Sequence, residues 1–276
     1  MNANDEATAA LSPGTAGFDV REFARTAHGS HRGTLDLGPL AEEPLDTESL
    51  RLVRALRDME RATLRRVRDL LVTATHKDAR VTAFLTTWMF ERFWIADALD
   101  AVLDASPAVR DLPSSAGPPR RVPAERRERR GPIRRSLVAN VTGPLVVAEH
   151  MTTGLVDEWI TQAAYRRLAG VSPAMASIID PVVEIKQRHI HFFAEEAERR
   201  LRQSARARRI TRRALRHTAW PLGSVARSRH ERAFFERHVF GDRSGRAEAR
   251  RIRAMVAALP GIGPGVASTV ESRLVP

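Results

Sequence analysis

Five side chains in this sequence carry charge or a titratable ring where the surrounding pattern is apolar. Glu60 lies four residues from both Leu56 and Leu64, and Glu158 follows Leu155 by three and Met151 by seven. Lys186 and His189 follow Val182 and precede Phe193, and Arg92 sits between Trp88 and Ile95. At helical spacing each faces the same way as its apolar neighbours. A buried charge is costly unless paired or ligated, so several on the inward faces of different helices predict a shared polar centre. Glu149-His150, and Glu184 with His191, are weaker candidates for a second ligand set. The latter pair shares a more polar face, which predicts solvent rather than a metal. Trp88, Phe90, Phe93 and Trp94 read as core packing. No Gly-rich phosphate loop, serine nucleophile motif or HExxH occurs. The chain has no cysteine, which excludes thiolate metal sites and disulfides.

The elements that must position these residues are helical. A cap at Asp46-Thr47-Glu48 opens a helix with Leu50, Val53, Leu56, Leu64, Val67, Leu70 and Leu71 in phase. A second follows His76-Lys77-Asp78 and runs to about Leu103. From Ser106 to Arg135 the chain is rich in Pro and Arg, with eight Arg after residue 119, and reads as a long solvated loop. A third helix occupies about 144–169, ending at Gly170, and a fourth starts at Ser172-Pro173 and runs to about 203. Two helices, a long crossover and two more helices predict an all-α four-helix bundle over 46–203. Residues 1–45 show no sustained periodicity and read as a disordered tail. Residues 204–276 read as shorter helices broken at Pro221-Leu222-Gly223, Gly241 and Pro260-Gly261.

Three segments carry a resemblance to a family. WMFERFWIADAL (Trp88–Leu99), the stretch from Glu158 through Tyr165-Arg166-Arg167-Leu168, and IKQRHIHFF (Ile185–Phe193) resemble acyl-carrier-protein desaturases and related diiron proteins of the ferritin-like superfamily. The resemblance covers about residues 46–203 and implies a ferritin-like bundle. In that family two helices each give one Glu, and the other two each give Glu-x-x-His. Carried over by position, Glu60 and Glu158 match the single Glu ligands and His189 matches the last His. Arg92 and Ile95 stand at the second-helix pair, and Lys186 stands at the fourth-helix Glu. A one-residue slip would instead bring in Glu91, with Trp94 at the His position. Six ligands thus fall to three. A Lys in place of a carboxylate repels a divalent ion, and Arg cannot deprotonate to bind one. The expectation is a cofactor-free centre in which Glu60, Glu158, Arg92 and Lys186 balance. Were iron or manganese bound, Glu60, Glu91, Glu158 and His189 would hold it. The implied function is a diverged diiron-oxygenase relative acting as a binding or partner protein or an atypical enzyme; the alternatives are a nucleic-acid-binding protein acting through the Arg-rich C-terminal helices and an oxygenase or desaturase with an altered metal site.

The net charge is +12, and only Lys77 and Lys186 are lysines, leaving 43 arginines. Such an excess reflects GC-rich codon usage, so its distribution says more than its size. Residues 204–276 hold 16 Arg against five acids, a balance of +11 that leaves the first 203 residues near neutral. Within this quarter, Ile252–Leu274 resembles the helix-hairpin-helix of DNA-binding proteins, whose Gly-h-Gly turn, here Gly261-Ile262-Gly263, aims backbone amides at a phosphate. Arg208, Arg209, Arg212, Arg213, Gly261 and Gly263 are the candidate anion or partner contacts. The expected partner is an acidic protein, such as an acyl carrier protein, or a nucleic acid. The turn has no basic neighbour in sequence, which tilts the expectation toward the protein. A homodimer is a further expectation. The N-terminus shows no basic stretch followed by an apolar run, and no apolar run reaches membrane-spanning length, so a cytoplasmic protein is expected.

Overall fold

The structure is a computed structural model that describes residues 17–112, 143–222 and 228–276. Among the described residues it is all-helical. Ten α-helices follow in order: α1 (Val20–Arg25), α2 (Gly38–Glu42), α3 (Thr47–Leu71), α4 (Ala79–Asp104), α5 (Val146–Ala169), α6 (Pro173–Gln203), α7 (Ala205–His217), α8 (Arg229–Phe240), α9 (Arg243–Ala258) and α10 (Pro264–Glu271). The crossover expected within Ser106–Arg135 falls mostly outside the described residues.

Side-chain caps start the long helices. Asp46 accepts from Ser49 N at 2.7 Å, Asp78 from Val81 N at 3.0 Å and Ser172 from Met175 N at 3.2 Å, each satisfying an amide the helix leaves free. Ser204 alone separates α6 from α7 and caps the latter through Ala207 N.

α3 and α4 form an antiparallel hairpin tied by Arg57 and Arg61 to Asp100. α5 and α6 form a second, in which Gln162 meets Gln187 at 3.1 Å. Gly154 allows this close approach, since a Cβ there would meet the Phe193 ring at 2.5 Å. The hairpins face one another, with α3 against α5 (Tyr165–Glu60, Arg66–Asp157) and α4 against α6 (Glu91–His189, Arg80–Glu196). In every one of these pairs residue numbers rise on one helix as they fall on the other. α4 and α5 therefore run in the same direction, and the chain leaves α4 at one end of the assembly and re-enters at the other. α5 is buried almost all round, because α7 covers the side that α3 and α6 leave open.

The C-terminal helices are part of the same body. Phe235, Ile252, Val266 and Leu274 join the hydrophobic cluster that includes Leu56, Trp88 and Ile190. Arg51 pairs with the buried Glu231 at 2.8 Å and lies over the Phe234 ring, holding α8 on α3. Asp157 accepts from Leu222 N at 2.7 Å. No described helix is long and apolar enough to cross a membrane.

Three expectations need correction. Residues 17–45, read as part of a disordered tail, form two short helices and a strap across α4 and α6, with Phe23, Leu40 and Leu45 buried. Phe18 and Phe23 pack on Phe84, and Phe18 packs on Phe192. Arg80 donates to Phe18 O, and Arg188 to Phe23 O and Thr26 O. Isolated aromatic anchors and side-chain-to-backbone bonds leave no periodic trace, so this segment looked unstructured; residues 1–16 lie outside the described residues. Leu64 is 57% exposed, and Phe90 and Phe93 are 44% and 62% exposed. These three lie at the edge of their stripes, where the neighbouring helix no longer covers them.

Phe23→Ala tests the strap. Removing a buried aromatic should cost about 3–5 kcal/mol in urea unfolding, whereas a residue in a true tail would cost nothing measurable.

Candidate functional site

One charged side chain from each of the four long helices meets at the centre. Glu60 (α3) and Glu158 (α5) bring carboxylates; Arg92 (α4) and Lys186 (α6) bring cations. Lys186 Nζ lies 2.7 Å from Glu158 Oε2 and 3.4 Å from Glu60 Oε1. The Arg92 guanidinium bonds Glu60 through Nε and stands 3.4 Å from Glu158 Oε1. Each cation therefore bridges both carboxylates, closing a four-membered ring of alternating sign and zero formal charge. All four side chains are at most 2% exposed. Two neutral donors complete it: Tyr165 OH to Glu60 Oε1 at 2.9 Å and Trp88 Nε1 to Glu158 Oε1 at 2.8 Å. The Arg92 guanidinium also lies over the Trp88 ring and the Lys186 ammonium over the Tyr165 ring.

A second pair borders the ring. His189 Nε2 lies 2.7 Å from Glu91 Oε2, and its Nδ1 is 3.9 Å from Glu158 Oε1. Glu91 Oε1 accepts from His28 N at 3.0 Å and faces Arg188 at 3.4 Å. The N-terminal strap thus closes this side of the centre. A cleft of about 220 Å³ beside Arg188 is lined by the strap and by His191, and none of the ring residues lines it.

The electrostatics follow from this geometry. Burial alone would raise the Glu60 and Glu158 carboxyls, but Arg92 and Lys186 outweigh it and hold both below the ordinary glutamate value. Burial, reinforced by the Glu60 charge, pushes the Tyr165 phenol well above its usual value, so it stays a donor. Burial opposes the charge on Arg92, and the two carboxylates more than restore it. Beside the ring, burial raises Asp157 against the pull of Arg66, 3.2 Å away.

The five residues on apolar stripes are thus brought together. Glu91, considered only as a metal ligand, is instead the partner of His189. This donor set does not fit a pair of iron ions, because an ammonium and a guanidinium already face the carboxylate oxygens of Glu60 and Glu158 and neither can coordinate. Among the described residues no group of three or more His, Asp or Glu is placed to hold a metal ion. Glu184 and His191 are exposed. His150 is held to about pH 3 by burial and by Arg66, and meets Thr75 at 2.8 Å.

Tyr165, Trp88 as a donor, Arg188 and the Arg66–Asp157 pair were not identified as site residues from sequence. Tyr165 had a signal: it is the single tyrosine and stands seven residues after Glu158, on the same helical face. Far from the ring, Arg208 and Arg212 are not free contacts as expected. Arg208 donates to Leu201 O at 2.8 Å and Arg212 to Gly261 O at 3.1 Å, while Arg209 and Arg213 are exposed. No family model, curated protein or solved structure matches the chain.

Because Glu60 and Glu158 titrate lower folded than unfolded, the stability they give is complete above about pH 4.5 and lost as pH falls below it. Asp157, shifted upward, acts in the opposite sense. Urea midpoints should drop between pH 6 and pH 3.5, and by less in Glu60→Gln. An equal drop in that variant would remove the ring from the acid transition.

Proposed function

We propose that this protein is a diverged ferritin-like bundle in which an ion-pair ring stands where relatives keep a dinuclear metal centre. It works as a binding protein, not as an oxygen-activating enzyme. The observation that carries this reading is the position of Lys186, whose ammonium lies between the Glu60 and Glu158 carboxylates. Together with the Arg92 guanidinium, the ammonium does electrostatically what a metal ion would, balancing two buried carboxylates, but it offers no open coordination position and no redox chemistry. The direction of the four helices also supports it, since α4 and α5 run the same way as in bundles with one long crossover. So does the supply of single carboxylates by α3 and α5.

In this reading the bundle is a rigid mount for other surfaces. Its chemistry is spent on holding four helices in register, and the sealed centre receives no substrate.

Two measurements test it. Lys186→Met leaves two buried carboxylates against one guanidinium and should cost about 3–5 kcal/mol. Lys77→Met, at an exposed site, should stay within about 0.5 kcal/mol of the parent. Protein made in iron- and manganese-replete medium should carry neither metal in stoichiometric amount. One or two bound ions per chain would overturn the proposal.

A further inference from the structure

The bundle reading leaves α7 unused, and α7 has a chemistry of its own whether or not that reading holds. No Asp or Glu occurs between Glu198 and Glu231, a stretch with eleven arginines. Codon usage explains why a cation is Arg and not Lys; it does not remove acids. α7 lies inside this stretch and divides its residues among three faces. Ala207, Thr211 and Leu215 are buried against the body. Arg208 and Arg212 clasp the α9–α10 turn: the Arg208 side chain packs where a Cβ of Gly261 would stand, and Arg212 donates to Gly261 O. Arg206, Arg209, Arg213 and Arg216 are exposed, with no acidic partner among the described residues. Exposed arginines of the bundle often have one, as Arg61 has Asp100 and Arg199 has Glu196.

We infer that the Arg206–Arg209–Arg213–Arg216 ridge of α7 binds the phosphodiester backbone of duplex nucleic acid. The ridge spans eleven residues, about 15 Å of helix from first to last, and against duplex DNA it faces a dense row of phosphates that guanidinium groups match in geometry. A protein partner fits less well. Docking surfaces between proteins centre on buried aromatic or apolar anchors, and the exposed residues of α7 are only Ala205, the four arginines and His217. A backbone ligand needs no such anchor and reads no sequence. Arg208 and Arg212 lie beside Gly261 but are engaged with the carbonyls of Leu201 and Gly261, so the phosphate contacts fall to the exposed ridge and not to this turn.

The test is fluorescence anisotropy of the full chain with a labelled DNA duplex of about 20 base pairs between about 50 and 200 mM salt. Four phosphate contacts predict a log–log salt slope of about −3.6. Replacing Arg206, Arg209, Arg213 and Arg216 by Gln should flatten the slope toward zero and weaken binding at least about tenfold. The same change at Arg25, Arg61, Arg65 and Arg68, exposed on other elements and equal in charge, should alter affinity less than about threefold. Circular dichroism confirms that both variants are folded, and Arg209→Gln/Arg213→Gln serves if the fourfold ridge variant is not. Three results would each overturn the inference: no binding at the lowest salt, equal loss in ridge and control variants, or a poly-glutamate peptide that binds the ridge as tightly as the duplex.

Discussion

The four long helices are arranged around a ring of four buried charges to which each contributes one. Such a ring is a poor source of stability, because removing four ions from water costs about what their mutual attraction returns. It is a strict source of alignment. Sliding any one helix by a turn would separate Glu60, Arg92, Glu158 or Lys186 from both of its partners and leave buried charge unpaired. Apolar packing between the same helices tolerates many registers of similar area; the ring tolerates one. Tyr165 and Trp88 tighten this further, since each satisfies a carboxylate oxygen that the cations leave partly open.

The surrounding pairs extend the same logic outward. Glu91–His189 couples α4 to α6, Arg66–Asp157 couples α3 to α5, and Arg51–Glu231 fixes α8. Among the described residues before Ser204, most arginines lie beside a carboxylate, as Arg25, Arg32, Arg57, Arg80 and Arg167 do. The surplus charge is left to the C-terminal helices.

Helical spacing made the four long helices and the inward direction of Glu60, Arg92, Glu158, Lys186 and His189 legible, because each lies in phase with large apolar residues. Which of these touch was not legible. Pairing depends on how two hairpins face one another, and no local pattern encodes that. Tyr165 escaped for a different reason: an aromatic in a core stripe gives no sign that its hydroxyl is in use. The strap escaped because Phe18 and Phe23 work singly, and Arg208 and Arg212 because their role is set by a turn some fifty residues away. Leu64 and Phe93 show the converse error, in which a residue in phase lies just past the edge of its neighbour's cover.

Ser204 is the whole connection between α6 and α7, and it is extended in backbone and locked by its own cap. α6 therefore acts as a lever arm with Lys186 near its fulcrum. Eighteen residues of helix separate Lys186 from Ser204, about 27 Å, so a tilt of about 10° at the ring would swing the start of α7 through about 5 Å. That is close to the spacing between successive turns of α7 itself. α7 is seated on α5 through Ala207, Thr211 and Leu215 as well, so the register of the core sets the aim of the arginine ridge through both this packing and the joint at Ser204.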